Sequence, residues 1–138
     1  MSYYEALEAA GAKVFEFKEF GSYQGDWWAF VEYEGVIGWI TGSYGSCSGC
    51  DAFEGEFWGG HENCDKHRWE RDPDILSECH NCQSANAEYN KKLADFGRSY
   101  LSDMFTNENA ITEASRYIEW DSDAVEMVAW IKTISEAN

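Results

Sequence analysis

The chain has 138 residues, enough for one domain, with 17% aromatic residues and a mean hydropathy of −0.55. Folding at this length buries roughly two thirds of the surface an unfolded chain exposes, so a core forms without disulfides, and the aromatic content excludes a disordered chain. Ten Lys and Arg against 26 Asp and Glu give a formal net charge of −16, which repels nucleic acid and anionic membranes and leaves a basic protein as the expected charged partner.

The start, SYYEALEAA (residues 2–10), reads as a short helix with Tyr4, Leu7 and Ala10 at helical spacing, and Gly11 is a natural stop. Glu5 and Glu8 stand where a signal peptide needs basic and then uninterrupted apolar residues, and no segment reaches membrane-spanning length. The expected location is therefore the cytoplasm. KVFEFKEF (13–20) alternates like a strand, and DWWAFVEYEGVIGWITG (26–42) holds two β-rich runs separated by Glu34-Gly35, a hairpin signal. Together they predict a three-stranded antiparallel meander.

GSYGSCSGCDAFEGEFW (42–58) follows, a Gly/Ser turn carrying two cysteines and then a short helical run, and after it the irregular polar stretch GGHENCDKHRWERD (59–72). Asp72-Pro73 resembles a helix cap followed by proline at the first helical position. The apolar stripe Leu76, Cys79, Cys82, Ala85, Tyr89, Leu93, Phe96, Tyr100, Met104 then predicts a long helix over most of 74–105, interrupted near Ser84 to Asn86 because so long a helix is unusual in a small domain. Helical patterns over 110–118 and from Asp121 or Ser122 onward, with Ala124, Val128, Ile131 and Ile134 facing the core, complete the chain. A single proline and no linker composition argue for one domain over 1–138. The predicted class is α+β: a small antiparallel sheet packed on one face by C-terminal helices, one of them long.

The cysteines carry the chemistry. Cys47/Cys50 and Cys79/Cys82 are two C-x-x-C pairs, and four thiolates satisfy tetrahedral zinc, with 28 residues between the pairs to let them meet. In CSGC, Gly49 permits the close backbone approach of a metal knuckle, and in CHNC helical spacing puts both thiols on one face. His61, Cys64 and His67 are alternative ligands for a mixed Cys/His site. Two other readings stand beside structural zinc: reduced cysteines that simply fill the core, and a redox pair at Cys47 and Cys50 acting as a thiol-disulfide oxidoreductase. The redox reading meets two objections, an antiparallel hairpin where a βαβ unit belongs and nearby acids that oppose thiolate formation.

Trp27, Trp28, Trp39, Tyr44, Phe57 and Trp58 could make an aromatic platform for a ligand, but strand alternation assigns most of them to the core, leaving one of the Trp27/Trp28 pair exposed. No phosphate loop, nucleophile elbow or HExxH pattern is present, and no catalytic set emerges.

The runs FGSYQGDWWAFVEYEGVIGWITGSYGSCSGCDAFEGEF, ECHNC and LADFGRSYL give the chain, from about residue 14 to 102, a resemblance to small acidic proteins of tailed bacteriophages that have no assigned function, most specifically through GSYGSCSGCDAFE. The resemblance implies the cytoplasm of an infected bacterium and carries no activity or site residues. Small acidic phage proteins often act by occupying a basic host surface, so the leading expectation is a non-enzymatic protein that binds and inhibits a basic host factor. Its expected binding face combines Glu32, Glu34, Asp51, Glu54 and Glu56 with Trp27, Trp28 or Trp58 as anchor.

Overall fold

A computed structural model describes residues 2–47, 49–57, 61–116, 118–119 and 121–138. The element order is α1 (Ser2–Ala9), β1 (Lys13–Gly21), β2 (Gly25–Tyr33), β3 (Val36–Tyr44), α2 (Ala52–Phe57), a 3-10 turn (Asp65–His67), α3 (Pro73–Glu78), α4 (His80–Arg98), α5 (Asn107–Ser115) and α6 (Ser122–Ala137). The strands pair antiparallel in the order β1-β2-β3, and the α+β class holds. Glu34 (φ 51°) and Gly35 (φ 80°) make the two-residue turn whose twist suits a hairpin.

Helices cover both faces of the sheet, where the sequence suggested one. The cause lies in β2. Its alternating residues Trp27, Ala29 and Val31 pack with Tyr3 and Leu7 of α1 and with Leu101 after α4, while Trp28 and Phe30 pack with Trp39, Ala110 and Ala114 of α5 and Met127, Val128 and Ile131 of α6. A central strand with large apolar side chains at successive positions needs an apolar layer on each side, and the N-terminal helix returns to supply one. A further cluster of Ala6, Phe57 and Leu93, with Phe53, Tyr89 and Phe96 beside it, locks α1, α2 and α4 together.

Two glycines permit close approaches in this arrangement. A Cβ on Gly42 would sit 2.6 Å from Cζ2 of Trp27, so the absence of a side chain there admits the indole. A Cβ on Gly97 would run into the Ala6 carbonyl, which is how near α4 passes to α1.

The long helical pattern is interrupted at Cys79 (φ −91°, ψ 110°), which ends α3 and caps α4, and α4 then runs unbroken through Ser84 to Asn86. The fifth helix starts earlier than expected because the Thr106 hydroxyl accepts the Asn109 N–H at 3.2 Å, and it ends at Ser115. The sixth begins where the sequence places it, with the Asp121 carboxylate accepting the Asp123 N–H at 2.9 Å. Among the described residues no helix is long and apolar enough to cross a membrane.

Candidate metal centre

From His61 to the start of α4 the described chain has little to bury. No described residue from His61 to Cys79 is buried, α3 contributes none, and Trp69 is 82% exposed. Polar bonds shape this segment. Asn63 Nδ2 donates to the His67 carbonyl (3.0 Å) and the Glu70 carbonyl (3.4 Å), and the His67 N–H donates to the Cys64 carbonyl (3.0 Å). Glu70 Oε1 accepts the N–H groups of Arg71 and Asp72, and Asp72 caps α3 through the Asp74 N–H at 3.0 Å.

The result is a closed set of donor atoms. Sγ of Cys64, Cys79 and Cys82 and a ring nitrogen of His67 all lie within 4.8 Å of one another. Cys64 Sγ is 3.3 Å from His67 Nδ1, 3.8 Å from Cys79 Sγ and 3.3 Å from Cys82 Sγ, and Cys82 Sγ is 3.4 Å from His67 Nδ1. Metal bonds of about 2.3 Å to sulfur and about 2.0 Å to nitrogen in a tetrahedron put sulfurs about 3.8 Å apart and sulfur and nitrogen about 3.6 Å apart. The four edges between 3.3 and 3.8 Å lie at or slightly below these values and every pair is within 4.8 Å, a spacing compatible with a metal ion at the centre.

The break at Cys79 now has a reason. A continuous helix would keep Cys79 on the same stripe as Cys82; the extended Cys79 backbone instead turns its sulfur back toward the first turn of α4, where Cys82 sits. The Cys82 N–H pointing at the Cys79 sulfur, against a smaller opposing effect of burial, holds that thiol down at about 6, and the neighbouring Cys82, Cys64 and His67 side chains add to it. Burial pushes the Cys82 thiol up to about 11, with the Cys64 N–H partly opposing. Cys79 therefore gives up its proton more readily than Cys82, and a bound cation would displace the protons of both thiols.

The expected four-cysteine set is corrected by this grouping. Cys79 and Cys82 are joined by Cys64 and His67, both foreseen as alternatives, while Cys47 and Cys50 pair with each other in a disulfide on the turn after β3. His61 is not a ligand and instead meets Asp65 Oδ1 at 3.2 Å. The signal that distinguishes the sets is the pattern C-x2-H-x11-C-x2-C: closing 11 intervening residues costs about 0.8 kcal/mol less chain entropy than closing 28. Gly49, read as the site of a close approach, faces open space.

The expected binding face is not assembled as the sequence suggested. Trp27 is 0% and Trp28 2% exposed, because each occupies a different covered face of the sheet, so neither is a surface anchor. Trp58 lies outside the described residues. Trp39 and Phe57 are buried and Tyr44 half-buried, which removes the aromatic platform. Asp51, 6% exposed, is structural: its carboxylate accepts Tyr3 Oη (2.8 Å), Gly45 N–H (2.8 Å) and Glu54 N–H (3.0 Å). Glu34, Glu54 and Glu56 are exposed and Glu32 half-buried, but the hairpin tip and the cysteine turn lie at opposite ends of β3, about 26 Å apart along the strand. Glu56 also pairs with Lys92, at 3.8 Å.

No protein-family model, curated protein or solved structure matches the chain.

Proposed function

We propose that Cys64, His67, Cys79 and Cys82 hold a structural zinc ion and that the protein is a metal-stabilised, non-enzymatic interaction module. The convergence of four ligand atoms within 4.8 Å carries this reading. Three thiolates and an imidazole suit zinc, and four protein ligands leave no open position for a substrate or water, as in structural rather than catalytic sites. The centre lies where a fold without metal is weakest, in a segment with no buried residue before Cys82. Zinc binding of this kind contributes about 10 kcal/mol or more, enough to order a segment that hydrophobic burial does not.

The partner class rests on charge alone. With a net charge of −16 the protein attracts basic surfaces over long range, and a basic protein is the partner we propose, in keeping with the phage-type resemblance of its sequence.

Chelation tests the structural role. Removing zinc is expected to abolish amide-exchange protection across residues 64–83 while β2 and β3 keep theirs. Unchanged protection of that segment in metal-free protein would refute a structural metal.

A further inference from the structure

Cys47 and Cys50 take no part in the metal centre, and their surroundings give them a chemistry of their own. Both are exposed, they are joined by a disulfide, and their Cα atoms are 5.2 Å apart, inside the range the bond requires. Backbone bonds hold the turn independently of the crosslink. The Cys47 carbonyl accepts the N–H groups of Cys50 (3.1 Å) and Asp51 (2.9 Å), and the Asp51 carboxylate reaches back to the Gly45 N–H at 2.8 Å. Reduction therefore leaves the two sulfurs neighbours, with the Cys50 sulfur 2.9 Å from the Cys47 N–H and 3.3 Å from the Cys47 carbonyl, able to accept from the first and, as a thiol, to donate to the second.

We propose that Cys47–Cys50 is a reversible redox site that exchanges with small-molecule thiols and disulfides of the glutathione class. In the reducing direction a thiolate attacks one sulfur of the pair; the protein S–S bond breaks, a mixed disulfide forms, and the electron pair leaves on the other cysteine sulfur. A second thiol displaces the protein sulfur from the mixed disulfide, releasing the small-molecule disulfide and leaving two protonated cysteines. Two thiols are oxidised as one protein disulfide is reduced. The reverse sequence consumes one small-molecule disulfide and restores the crosslink. The other three cysteines belong to the candidate metal centre, and with zinc bound their sulfurs are ligands, so in the zinc-loaded protein exchange is expected at the turn.

The test uses zinc-loaded protein equilibrated in glutathione buffers from fully reduced to fully oxidised, acid-quenched, alkylated and mapped by peptide mass spectrometry. Cys47 and Cys50 should pass together from alkylated to protected as the buffer becomes oxidising, with loss of two hydrogens and no retained glutathione. In Cys50→Ser, Cys47 should instead trap glutathione as a mixed disulfide. Alkylation of both cysteines that does not change across the buffers, or a Cys47 without an adduct in Cys50→Ser, would overturn the proposal. Neither result bears on the zinc reading, which is decided by metal content.

Discussion

At the residue scale Asp51 shows how a side chain that sequence alone assigns to a surface can be an internal strut. Nothing in CDAFE distinguishes a solvated acid from a cap, because the distinction depends on Tyr3, 48 residues away. Burial pushes its carboxyl up, but the N–H groups of Glu54 and Gly45 and the Tyr3 hydroxyl more than offset this and hold it below the usual carboxylate range. Asp51→Asn, which presents an amide donor to at least one N–H, is expected to cost about 1–3 kcal/mol in denaturant unfolding, whereas Glu54→Gln, at an exposed position, should stay within about 0.5 kcal/mol. A depressed folded-state pKa stabilises above the unfolded value, near 3.9, and that stability disappears as pH falls through the folded value. The difference between wild type and Asp51→Asn should therefore be constant above about pH 5 and shrink below about pH 4; a difference that grows on acidification would contradict the assignment.

At the element scale the strands and the last helix were legible because their signals are local. Alternation in β1, Glu34-Gly35 between β2 and β3, and the Asp121 cap each act within a few residues. The interruption of the long helical stripe was legible as a fact but not as a place. Helix length argues only that a break exists, and its position at Cys79 follows from the need to aim a sulfur at Cys64 and His67, a tertiary demand. Likewise the second covering layer of the sheet requires α1 to pack back against β2, which no periodicity encodes. Both C-x-x-C pairs looked equivalent as ligand spacing; one closes on itself and the other finds a Cys/His doublet nearer in the chain.

At the scale of the whole molecule two features are separable, a fold with two well-filled hydrophobic layers and a polar segment that carries the four candidate metal ligands. The clusters around Trp27 and Trp28 use none of the ligands, so the first is expected to survive removal of the metal. The charge belongs to neither and acts at long range. If a basic protein is the partner, capture from a nuclease-treated bacterial lysate should enrich basic proteins at low salt and lose them as salt rises past physiological strength, where the field reaches only about 8 Å. Capture that is indifferent to salt, or of acidic proteins alone, would assign the −16 charge to solubility. The central claim is the ligand set, and the zinc content of purified variants tests it most directly. Wild type and the Cys47→Ser/Cys50→Ser double variant should each carry one zinc per chain, while Cys64→Ser and Cys82→Ser should lose it. Zinc retained by Cys64→Ser and lost from the double variant would contradict the account and return the site to the four cysteines of the two C-x-x-C pairs.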